Sequence, residues 1–121
     1  MSVGYSAEHD ELRDTVRAVL RERSPSREVR RLMEAGLTEA GPCRDDEVWA
    51  LLTGQLGLSG IAVPDRYGGA GYGPVELGIV LEEMGRALLV APYFSTVVLA
   101  AQALAASGDE AAMARDRKSV V

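Results

Sequence analysis

GLSGIAVPDRYGGAGYG, residues 57 to 73, places six glycines and one proline between two apolar runs with helical periodicity. Clustered glycines serve two different ends. They expose backbone N–H groups to a phosphate, or they let the chain turn through positive φ and pass close to its neighbours. A dinucleotide loop needs G-x-G-x-x-G directly after a strand and opening a helix. Here Gly69-Ala70-Gly71-Tyr72-Gly73-Pro74 misplaces the third glycine, and Pro64, Asp65 and Arg66 separate any extended run at 61 to 63 from the glycines. No Lys-Ser or Lys-Thr pair stands there to complete a P-loop. The stretch therefore reads as a bend that crosses between helices and aims the one that follows.

On both sides of the bend the pattern is helical. Ser6 is expected to cap a helix through Arg23, with Leu12, Val16, Val19 and Leu20 on one face and Glu8, Asp10 and Glu11 in the first turn. Ser24 and Pro25 end it. A shorter helix is expected to about Ala35, with Val29, Leu32 and Met33 inward and Gly36 as its stop. A third starts at Asp45 or Asp46 and carries Val48, Trp49, Leu51, Leu52 and Leu56. After the bend, Gly73 and Pro74 open a fourth, with Leu77, Val80, Leu81, Met84 and Leu88 on one face and Glu76, Glu82, Glu83 and Arg86 on the other. Pro92 opens a fifth that is apolar almost all round, the mark of a helix in the middle of a bundle. Asp109 caps a last one. No run alternates like a strand, so the expected fold is all-α, a five- to six-helix bundle.

Composition narrows the function. The 121 residues are 47% hydrophobic and 26% charged, with a net charge of −5, which suits a globular domain and disfavours nucleic acid. Arg27, Arg30 and Arg31 alternate with Glu28 and Glu34 and read as a solvated helix face. A helix-turn-helix would have to read DNA with the helix starting at Asp45, which has no arginine after Arg44. Pro92 and the polar residues Ser95, Thr96 and Gln102 argue against a membrane span over residues 87 to 106. With no signal-like start and a single cysteine, Cys43, the expected location is cytoplasmic. Twelve of the 13 basic residues are arginine, and the one lysine falls in the final DRKSVV. That sequence is also what a common sequencing adapter encodes when translated. Residues 1–115 are thus expected to be the native domain and 116–121 a non-native tail on a chain cut short.

The bend, followed by Leu81-Glu82-Glu83-Met84-Gly85-Arg86, resembles the N-terminal helical domain of acyl-CoA dehydrogenases. The resemblance runs from about Ser6 to Arg115 and takes in Trp49 and the helix from Pro92 to Ser107. The arginine-rich composition is similar to that of actinobacterial members. The resemblance implies an oxidoreductase of lipid metabolism, acting in fatty acid β-oxidation, with FAD as cofactor and an acyl-CoA thioester as substrate. A carboxylate removes the α-proton while a hydride leaves the β-carbon for the flavin. It also implies that the base and most flavin contacts belong to a β-rich middle domain and a C-terminal helical domain absent here, and that the complete protein is a homo- or hetero-oligomer. The chain alone is then expected to be inactive and to hold no FAD.

What this part contributes, on that resemblance, is a wall of the acyl pocket, with Thr96, Leu99 and Gln102 as substrate-binding candidates. No catalytic, cofactor-binding or metal-binding residue is assigned. Glu82 and Glu83 are adjacent on a helix and point about 100 degrees apart, so they cannot converge on one proton. They read as surface or interdomain charges. Tyr93 and Phe94 read as core, His9 as a structural residue with no partner for metal or triad chemistry, and Cys43 as a loop thiol with no activating histidine. The alternative function is a non-enzymatic helical module that pairs with a partner subunit.

Overall fold

The computed structural model describes residues 4–38 and 46–120. Among them are six α-helices and no strand, so the chain is all-α as its periodicity predicts. The chain forms two compact units, residues 1–44 with 75–90 and residues 45–74 with 91–121.

The first unit holds α1 (Ala7–Arg23), α2 (Ser26–Thr38) and α4 (Pro74–Ala87). Ser6 caps α1 as expected: its Oγ accepts the His9 N–H at 3.3 Å, and His9 Nδ1 accepts the Ser6 N–H at 3.1 Å. This is a capping box in which histidine replaces the usual Glu or Gln. His9 Nε2 also lies 3.1 Å from Glu76 Oε1, so its contacts are those of a structural residue that caps α1 and meets α4. Val16 and Leu20 are buried, and the helix stops at Ser24, whose N–H donates to the Leu20 carbonyl at 2.9 Å.

Two expectations for α2 are corrected. Gly36 does not end the helix, because one internal glycine costs only about 1 kcal/mol. Met33 is 60% exposed, since the buried stripe is centred between Val29 and Leu32 and leaves Met33 at its border.

In α4, Leu77, Val80 and Met84 are buried, joined by Ile79. Leu88 is not. It lies beyond the helix at φ 54° and 69% exposed. The Leu88 N–H donates to Gly85 at 3.2 Å and the Leu89 N–H to Met84 at 3.0 Å. These two bonds make a Schellman ending, with leucine in the left-handed position that glycine normally takes.

The second unit holds α3 (Asp46–Ala50), α5 (Gln102–Ser107) and α6 (Glu110–Val120). Val48 and Leu52 are buried, while Trp49, Leu51 and Leu56 are half-buried. After Ala50 the helix widens into a π stretch, Leu51–Gln55, closed by a Leu56 N–H bond to Leu51 at 3.1 Å. A second π stretch, Phe94–Ala101, leads into α5. Asp109 Oδ1 accepts the Ala112 N–H at 3.0 Å and caps α6, which buries Met113. Cys43, Arg44 and Asp45 lie outside the described residues.

Candidate functional site

The glycine stretch is a bend closed on itself. Gly57, Gly68 and Gly71 have φ of 63°, 83° and 72°, values that only glycine takes without strain. Gly69 is required for a different reason: a Cβ there would run into the carbonyl and Cβ of Val63. The backbone donors point inward. The Ala70, Gly71 and Tyr72 N–H groups donate to Gly60, Val63 and Ile61 at 2.9, 2.9 and 3.0 Å. Gly68 and Gly69 donate to Asp65 and Pro64 at 2.7 and 3.2 Å. A phosphate cradle needs those same donors free, so this loop does not fit the pyrophosphate of a flavin or of CoA. Leu58, Ile61 and Val63 carry the bend into the core of the second unit.

Tyr93 ties the next helical segment to that core. It is buried, and its hydroxyl donates to the Leu58 carbonyl at 2.8 Å. Burial pushes its phenol well above the ordinary range. From Tyr93 onward the buried residues recur every fourth position, at Val97 and Ala101. The i→i+5 bonding of a π turn stacks residues five apart, and Phe94 and Leu99 fall together on the open face at 56% and 55% exposure. Two expectations are thereby corrected. Phe94 is not core, and this segment is not enclosed on all sides, because the widened turn splits its apolar residues between two faces.

The three candidate wall residues do not share one environment. Leu99 belongs to the exposed face with Phe94, while Thr96 and Gln102 are half-buried. Phe94 was missed as a face partner of Leu99 because a regular α-helix does not bring residues five apart into line.

The most strongly perturbed carboxylate is in the first unit. Glu83, read from sequence as a surface or interdomain charge, is 2% exposed. Its Oε1 lies 3.0 Å from Arg13 Nη1 and 2.6 Å from Arg17 Nη2, and its Oε2 lies 2.9 Å from Arg17 Nε. The Arg17 fork, helped by Arg13 and opposed by desolvation, holds the carboxyl down to about 2. Neighbouring Glu82 is mostly exposed and reaches Arg13 from solvent. Such a locked carboxylate is a weak base, and its chemistry is to hold α1 against α4. Sequence reasoning missed it because arginines 66 and 70 residues away supply the charge that permits burial. Among the described residues no cluster of His, Cys, Asp or Glu suits a metal ion, and no helix is long and apolar enough to cross a membrane.

The model of the acyl-CoA dehydrogenase N-terminal domain matches residues 6–115. Acyl-CoA dehydrogenase IpdE2 of Mycolicibacterium smegmatis is 36% identical over 93 residues, which are 77% of this chain and 28% of that protein. IpdE2 of Mycobacterium tuberculosis is 32% identical over 104 residues, 86% of this chain and 31% of its own length. Acyl-CoA dehydrogenase FadE27 of the same organism is 42% identical over 64 residues. The chain thus spans about a third of the length of the first two relatives. No solved structure matches. The chain belongs to the acyl-CoA dehydrogenase family, through that family's N-terminal domain.

Proposed function

We propose that this chain is the N-terminal part of an FAD-dependent, cytoplasmic acyl-CoA dehydrogenase, that residues 1–115 are its native portion, and that it is inactive alone. The observation that carries the reading is the match over residues 6–115 to one domain of a family whose relatives extend far beyond it. The inward-pointing amides of the bend support the same conclusion, because the chain's most glycine-rich segment offers no seat for the FAD pyrophosphate. FAD, when bound, supplies the hydride acceptor. Its contacts and the catalytic base are assigned to the middle and C-terminal domains of the complete protein.

In this proposal Leu99 with Phe94 forms an apolar surface that the complete protein covers, and Thr96, Leu99 and Gln102 border the acyl chain. Left uncovered, such a face favours self-association. The test has two parts. The purified chain, mixed with FAD and octanoyl-CoA, should keep no yellow colour after desalting and reduce no dye; retained flavin with dye reduction would refute it. In sedimentation, Phe94→Glu with Leu99→Glu should shift the chain toward monomer. An unchanged profile would remove the covered-face argument.

A further inference from the structure

The first unit contains a groove that the proposed function does not use. It has a volume of about 560 Å³ between α1, α2 and α4, within the range of about 300–1,000 Å³ usual for small-ligand sites. Its floor is apolar, from the buried Leu20 and Val29, and its walls carry Met33 and Leu88, both highly exposed. Exposed large apolar side chains facing one depression are an unusual expense of surface and mark a binding region. Leu88 adds a second sign, since a leucine held at φ 54° is strained and such strain concentrates at functional positions.

The polar lining has one sign. Arg21, Arg30 and Arg86 border the groove at exposed positions, and Arg17 is bound to Glu83. Among the described lining residues Glu83 is the only acid, and it is already paired with Arg13 and Arg17 and, at 4.0 Å, with Arg86. Arg21 and Arg30 are thus the two cations that a chain of net charge −5 sets beside the apolar floor with no acid opposite them among the described lining residues. Ser24 also lines the groove. Its side chain is 3% exposed, and its Oγ has no hydrogen-bond partner. A buried hydroxyl without a partner is uncommon in a folded protein and points to a missing acceptor or donor.

We infer that this groove binds an amphipathic anion, a single alkyl chain with a carboxylate or phosphate head. The chain lies over Met33 and Leu88, and the head meets Arg21, Arg30 and the Ser24 hydroxyl. The recessed position of Ser24 favours a slender ligand over a helix of another protein, whose backbone would hold its side chains too far out.

Met33 is a built-in reporter, and Met113, in the other unit, is its control. With the methionine methyls labelled with carbon-13, decanoate and decyl phosphate are titrated below their micelle concentrations into the 121-residue chain. The Met33 signal should shift saturably while Met113 stays in place. The tighter of the two anions identifies the head group. Decyltrimethylammonium should not compete, and Arg21→Glu with Arg30→Glu should weaken binding at least about tenfold. Leu88→Asp, an exposed change, should weaken it independently. Equal binding of the cation, an unaltered affinity in the double arginine variant, or shifts of Met33 and Met113 in parallel would overturn the inference. So would a Met33 response to an acidic amphipathic peptide and not to either alkyl anion.

Discussion

Replacing Glu83 by Gln keeps the shape of the side chain and removes the charge that Arg13 and Arg17 grip. The fold holds this carboxyl at about 2, against an ordinary 4.5, a preference for the ionised form of about 3 kcal/mol. The two arginines are 17% and 33% exposed, so each regains some water once the carboxylate is gone. The expected loss at pH 7 is therefore about 2–3 kcal/mol, or roughly 8–15 °C in Tm. The pH dependence has a definite sign, because the folded-state value is the lower one. The contribution is complete above about pH 4.5, falls as pH drops, and is gone near pH 2. Urea unfolding followed by far-UV circular dichroism at pH 7, 5, 4 and 3 would compare the two proteins. The gap between them should narrow steadily below 4.5. A gap as wide at pH 3 as at pH 7, or none at pH 7, would refute the reasoning.

Leu88→Gly should stabilise the chain by about 0.5–1 kcal/mol, since it relieves a left-handed leucine and gives up a side chain already in water; a lower urea midpoint would contradict this. Gly69→Ala should cost about 3 kcal/mol or more, because the new methyl meets Val63 backbone, and near-native stability would show that the bend has slack. Tyr93→Phe should cost about 1 kcal/mol by leaving the Leu58 carbonyl with only its long 3.4 Å bond from the Ile61 N–H, as measured by the same denaturation.

The helices were legible where the determinants are local. Ser6, Pro25, Pro74 and Asp109 mark helix boundaries through caps and fixed φ, and each stands within a residue or so of where the structure begins or ends an element. The bend was legible for the same reason, since Gly57, Gly68 and Gly71 occupy positions that demand glycine. What could not be read depends on residues far apart in sequence. Periodicity places Glu83 on the polar face of α4 and gives no hint that Arg13 and Arg17 arrive from α1 to make its burial tolerable. Leu88 continues the apolar period of α4, yet the helix has already closed, and a glycine-type ending built on leucine leaves no mark in composition. The joint exposure of Phe94 and Leu99 goes with a widened turn that no propensity scale encodes. Thr96, Leu99 and Gln102 were therefore nominated by resemblance, and only the backbone distinguishes their surroundings.

The bend has a consequence for proton exchange. Its ties from Ala70, Gly71 and Tyr72 join positions about ten residues apart, a separation that loops close within about 10–100 ns. The turn can therefore assemble early, ahead of the distant ion pairs around Glu83. In deuterated water, three slowly exchanging amides should stand out in a segment that a spectroscopist would otherwise assign to coil.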